Sequence, residues 1–65
     1  MKLKTKLKKL SVNTNCVVDF KTYGKAGKPI ELLESLTEEE LNREVKLTVY
    51  TIFYGGATEI RIRLE

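Results

Sequence analysis

The chain has no histidine and no tryptophan, a single cysteine, Cys16, and a single proline, Pro29. Each shortage removes a class of function. Without histidine the protein lacks the commonest metal ligand and the commonest general base, so zinc modules and His-dependent catalytic triads are excluded and no metal or other cofactor is expected. One cysteine makes no intramolecular disulfide, which fits a reducing, cytoplasmic setting. No apolar run approaches the roughly 18 residues of a membrane helix. The opening MKLKTKLKKL is broken by lysine too often to form the apolar region of a secretory signal. Sixty-five residues leave room for one small domain, 1–65, and a chain of this size hides only about 60% of the surface that its unfolded form exposes. The core is therefore thin, and a homodimer is expected as a supplement.

What the chain does have is separated charge. The net +3 conceals eight Lys against Asp19 in residues 1–28, a balance of +7, and six Glu against Arg43 in residues 29–44, a balance of −5. A basic pole and an acidic pole follow. Such asymmetry suits an anionic partner at one pole or head-to-tail self-association.

The strongest structural signal lies at the C-terminus, where VKLTVYTIFY and ATEIRIRLE flank Gly55-Gly56. A Gly-Gly pair between two β-rich runs predicts a two-residue hairpin, since a type I′ turn needs positive φ at both central positions. That closure sets Phe53 opposite Thr58, Thr51 opposite Ile60, Val49 opposite Ile62 and Leu47 opposite Leu64 on an apolar face. The other face then pairs Ile52 with Glu59, Tyr50 with Arg61, Thr48 with Arg63 and Lys46 with Glu65.

Upstream, Leu36-Thr37-Glu38-Glu39-Glu40-Leu41 carries a capping box between Thr37 and Glu40 and a hydrophobic staple between Leu36 and Leu41. A short helix over about 38–44 is predicted. Residues 16–23 alternate as a strand that buries Cys16, Val18 and Phe20, and 24–27 read as a turn. Residues 29–36 fit a short returning strand or an earlier helical turn, and loop length favours the strand. For residues 2–12, Leu3, Leu7 and Leu10 fit a helix while Leu3, Thr5 and Leu7 fit a strand; a bulged strand is preferred because Asn13-Thr14-Asn15 then turns into the next one. The predicted fold is α+β, a small antiparallel sheet of four to five strands with one short helix on one face, in the order β-β-β-α-β-β. Its core is Val18, Phe20, Leu36, Leu41, Val45, Leu47, Val49, Phe53, Ile60 and Ile62.

Catalysis has little to work with, and no enzyme is expected. Glu38, Glu39 and Glu40 are adjacent at a helix start and diverge, and Cys16 has no histidine to raise its thiolate fraction. Gly24-Lys25-Ala26-Gly27-Lys28 is similar to the end of a phosphate-binding loop, but Pro29 stands where Ser or Thr is needed. A turn, or at most a weak phosphate contact, is what remains.

Binding is better supported. On a strand, Lys2, Lys4, Lys6 and Lys8 would form a ladder on one face, with Lys9 beside it. Arg61 and Arg63 on the hairpin then lie near Tyr50 and Tyr54. Lysines and arginines for phosphate with tyrosines for stacking compose a nucleic-acid surface, and a basic nucleic-acid-binding accessory protein is the leading expectation. The bland reading is a solvated lysine face that discourages edge aggregation. The alternative function is a protein-interaction module, such as a phage or mobile-element inhibitor or regulator of a host protein, whose interface is Tyr50, Ile52 and Tyr54. Gly27-Lys28-Pro29-Ile30-Glu31-Leu32, followed by a helix and a C-terminal hairpin, also resembles part of the AbrB-type swapped-hairpin family. That resemblance implies an intertwined DNA-binding dimer, and it departs from the family where the connection is longer and more acidic.

Overall fold

The computed structural model describes residues 1–65. The order of elements is α1 (Leu3–Lys9), β1 (Asn15–Asp19), β2 (Gly24–Gly27), α2 (Pro29–Ser35), α3 (Glu38–Leu41), β3 (Val45–Ile52) and β4 (Thr58–Leu64). The four strands form one sheet in the spatial order β2-β1-β4-β3, and the fold class is α+β as the sequence predicts. Two features of the expected layout are corrected. There are three short helices rather than one, and the sheet is mixed rather than antiparallel, because β1 and β4 run parallel at its centre.

The N-terminal segment is a helix and not a bulged strand. A strand keeps Leu3 and Leu7 on one face but loses Leu10 to the slip at Lys8-Lys9, whereas helical spacing puts all three leucines on one stripe. Leu3 and Leu7 are fully buried and Leu10 packs against the core. Lys6, Lys8 and Lys9 fall in the last turn, at the negative end of the helix dipole.

Residues 29–35 are likewise helical, so the short returning strand and the turn trade places. Pro29 occupies the first turn, where its missing amide costs nothing, and the Glu31 carboxylate accepts from the Lys28 amide at 2.9 Å. Gly24–Gly27, read as a turn, is strand β2, and the chain reverses earlier, at Lys21-Thr22. There the Thr22 amide donates to the Phe20 carbonyl at 2.9 Å, with Lys21 at φ 74°. In α3 the capping box forms as expected: Thr37 Oγ1 accepts from the Glu40 amide at 3.2 Å, and Glu40 Oε1 accepts from the Thr37 amide at 2.9 Å. The helix stops at Leu41, short of the expected residue 44.

All three helices contribute to a single hydrophobic cluster on one side of the sheet. Leu3, Leu7, Leu32, Leu36 and Leu41 meet Cys16 and Val18 from β1, Phe20 just after it, and Ile60, Ile62 and Leu64 from β4. The other side of the sheet carries no helix. Of the expected core, Val18, Phe20, Leu36, Leu41, Ile60 and Ile62 are buried, and Val45 packs against them half-buried. Leu47, Val49 and Phe53 are not, and the hairpin register explains why.

Candidate interaction surface

The hairpin is shifted by one residue from the expected pairing. Ile52 lies opposite Thr58, Tyr50 opposite Ile60, Thr48 opposite Ile62, Val49 opposite Arg61 and Leu47 opposite Arg63. Both glycines have positive φ, 98° at Gly55 and 91° at Gly56, but Tyr54 joins them in a three-residue loop. The Phe53 amide donates to the Ala57 carbonyl at 2.7 Å, and the Gly56 amide to the Phe53 carbonyl at 3.0 Å. An odd loop moves every side chain of β3 to the opposite face. The alternation of β4 is held by Ile60, Ile62 and Leu64 in the core, so β3 is the strand that yields. A bulge between Val45 and Leu47 restores Val45 to a place opposite Leu64.

The result is an apolar outer strand. Leu47 and Val49 stand on the open face at 48% and 41% exposure, and Ile52 on the helix side is 78% exposed. From Val49 to Thr58 every residue is exposed, and the molecule measures 36 × 21 × 20 Å. Tyr54 at the tip is fully exposed.

β3 also has a free edge. Antiparallel pairs alternate between hydrogen-bonded and open, so the bonded Phe53–Ala57 pair leaves Thr48, Tyr50 and Ile52 in open pairs, with their amides and carbonyls directed outward. The N-terminus covers only the start of this edge. The Val45 amide donates to the Met1 carbonyl at 2.8 Å, the Leu3 amide to the Arg43 carbonyl at 2.9 Å, and Lys2 bridges Glu44.

The expected basic surface does not assemble. Lys2, Lys4, Lys6, Lys8 and Lys9 belong to α1 and its cap, and their strand ladder is lost because helical geometry turns Lys4 and Lys8 to one flank and Lys2, Lys6 and Lys9 to the other. Arg61 and Arg63 lie on the opposite, open face, where the parallel pairing of β1 with β4 sets them beside Asp19. Arg61 Nη1 is 3.3 Å from Asp19 Oδ2, Arg61 Nη2 is 3.8 Å from Glu59, and Arg63 Nε is 4.0 Å from Asp19. Tyr50 is thus separated from the arginines and placed with the lysines: Lys6 Nζ donates to its hydroxyl at 3.2 Å and lies 5.6 Å from its ring centroid. Tyr50 and Ile52 share the helix side of β3, and Tyr54 extends beyond them at the turn.

The remaining polar groups serve the fold. Lys28 Nζ donates to the Asn13 carbonyl at 3.0 Å and to Asn15 Oδ1 at 2.8 Å, which ties down the supposed phosphate-loop lysine. Tyr23 donates to Glu40 at 2.7 Å and stacks on Phe20 with ring centroids 4.7 Å apart. The Thr37 amide first, and then the Tyr23 hydroxyl, hold the Glu40 carboxyl at about 2, and the same bond pushes Tyr23 up. Burial raises the Cys16 thiol. A shallow groove of about 510 Å³ opens at the foot of the open face, among Asp19, Lys21, Tyr23, Lys46, Leu47 and Arg63. No cluster of three or more Cys, Asp or Glu side chains is placed to hold a metal, and no helix is long and apolar enough to cross a membrane.

Leu47, Val49 and Phe53 are the surface residues that sequence reasoning missed. Their signal was available in VKLTVYTIFY, which is apolar at both parities and so cannot hide both faces in a core this thin. No family model matches the chain, and neither does any curated protein or solved structure.

Proposed function

We propose that the protein is a non-enzymatic interaction module that takes hold of a partner protein by strand addition to the outer edge of β3. The observation that carries this reading is the free run of Thr48, Tyr50 and Ile52 on a long apolar edge strand. Exposed edges of this kind are unfavourable unless something pairs with them, and native sheets usually blunt them with charge, proline or a covering element. Backbone pairing supplies affinity in such complexes, and side chains on the two faces supply selectivity. Tyr50, Ile52 and Tyr54 flank the edge as contact residues, with Leu47, Val49 and Phe53 behind them.

The decisive variant is Thr48→Pro. Its amide points away from β4, so proline removes an outward donor and spares the hairpin ladder. Partner capture is expected to be lost while the circular dichroism spectrum is kept; undiminished capture sinks the reading. Ile52→Pro repeats the test farther from the core. A host-protein inhibitor or regulator from a phage or mobile element is one setting in which such a module operates.

A second reading, nucleic-acid binding, retains support from α1, since none of Lys2, Lys4, Lys6, Lys8 or Lys9 has an acidic partner within ion-pair distance. It no longer draws on Arg61 or Arg63. An affinity for single-stranded DNA that falls steeply with added salt and survives Thr48→Pro would favour it.

A further inference from the structure

Given that β3 accepts a strand, its surroundings select which strand. We infer that the partner segment is extended and alternates acidic with apolar residues, and that Lys6 and Lys9 read its acidic side.

The inference starts from α1. Positions 2, 6 and 9 are spaced to fall on one flank of a helix whose core stripe is Leu3, Leu7 and Leu10. That flank faces β3: Lys2 bridges Glu44 just before the strand, and Lys6 sits on Tyr50. None of the three lysines takes part in an ion pair, nor does Lys46 at the start of the strand. Glu44, just before the strand, is engaged 2.9 Å from the Met1 α-ammonium. Three other acids are held elsewhere. Asp19 and Glu59 pair with Arg61 on the open face, and the Glu31 side chain lies by Gly27 at the opposite edge of the sheet. The lysines on the helix side of the free edge therefore keep their charges unpaired.

A strand added at this edge sends alternate side chains to the two faces. On the helix side they come alongside Tyr50 and Ile52, next to the Lys6 ammonium and the α1 flank that also carries Lys9, where carboxylates are favoured. On the open side they come alongside Leu47 and Val49, where apolar side chains are favoured. The two requirements together give the alternation.

The same charges argue against a second copy as the occupant. Two β3 strands paired antiparallel about a twofold axis normal to the sheet keep both helix layers on one side. The lysine flanks of the two α1 helices then oppose each other across the seam.

The probes are two fluorescent peptides as long as β3, one alternating valine with glutamate and the other valine with lysine. The glutamate peptide is expected to bind and to slow hydrogen exchange at the Thr48, Tyr50 and Ile52 amides, and the lysine peptide to bind at least about tenfold more weakly. The double substitution Lys6→Gln and Lys9→Gln, which leaves Tyr50 a hydrogen-bond partner, should weaken the glutamate peptide by about tenfold, as two exposed ion pairs at the upper end of their range allow. Equal protection of those amides by both peptides would overturn the inference and leave the edge as an unselective strand acceptor. Binding of the glutamate peptide without protection of the amides, or no binding, also overturns it. A dimer in sedimentation whose edge amides are already protected would give the site to a second copy. Failure of the strand-addition reading itself is distinguishable, because Thr48→Pro would then leave capture of every partner intact.

Discussion

The two edges of the sheet are built to opposite ends. At one edge β2 has four residues, begins and ends with glycine, and is followed at once by Lys28 and α2. Lys25 pairs with Glu40 at 3.5 Å, and Glu31 and Leu32 come within 4 Å of where a side chain on Gly27 would begin. At the other edge β3 has eight residues, no glycine or proline, and apolar side chains on both faces. Two of the three tyrosines follow the same division. Tyr23, beside β2, is stacked on Phe20 and bonded to Glu40, whereas Tyr54 beyond β3 has no hydrogen-bond partner and is fully exposed. The contrast teaches that this protein can blunt an edge and does so once. The open β3 edge is the feature on which the proposed strand addition rests.

That contrast is most severely tested by two isoleucines of one hairpin. Ile62 in β4 is fully buried, and Ile62→Ala should cost about 2–5 kcal/mol, read as a large fall in the urea midpoint. A loss below about 1 kcal/mol would mean that the core does not centre on β4. Next in size, Gly55→Ala places a side chain at φ 98° and should cost about 1–2 kcal/mol without altering the core, with amide exchange rising first in the hairpin tip.

The acid response should report on the held end alone. The Glu40 carboxyl lies at about 2 in the folded chain against its ordinary 4.5, because Thr37 and Tyr23 bond its charged form. Its contribution is present above the ordinary value and is lost as pH falls from about 4.5 toward 2. Glu40→Gln should flatten the urea-midpoint profile across that window, and an unchanged profile would remove Glu40 from the fold's acid sensitivity. The smallest expected effect on stability is at Ile52, where Ile52→Ser should change it by no more than about 0.5 kcal/mol, yet weaken partner capture. A substantial destabilisation there would show that the open edge belongs to the core.

Local chemistry was the readable part of the sequence. The Thr37–Glu40 box, the alternation of Cys16, Val18 and Phe20, and the β4 stripe of Ile60, Ile62 and Leu64 all depend on neighbours in the chain, and each is found. Residues 2–12 were ambiguous because their leucines satisfy two periodicities, and only a surface to bury all three decides between them. The parallel contact of β1 with β4 joins segments about forty residues apart, so the pairing of Arg61 and Arg63 with Asp19 has no signal in the succession of neighbouring strands. The AbrB-like stretch likewise turned on local similarity, and the fold uses it to start α2 at Pro29.

By itself, then, the sequence determined the α+β class, the cap of α3, the identity of the central apolar stripes and the place of the hairpin turn, because these follow from spacing and from the backbone demands of particular residues. The tertiary structure decided which face of β3 meets the core and which edge stays open. A one-residue change in loop length costs little locally, but its sign is chosen by Ile60, Ile62 and Leu64 already packed under the helices. That choice moved Tyr50 away from Arg61 and onto Lys6, and it turned the expected basic surface into a strand edge beside a lysine flank.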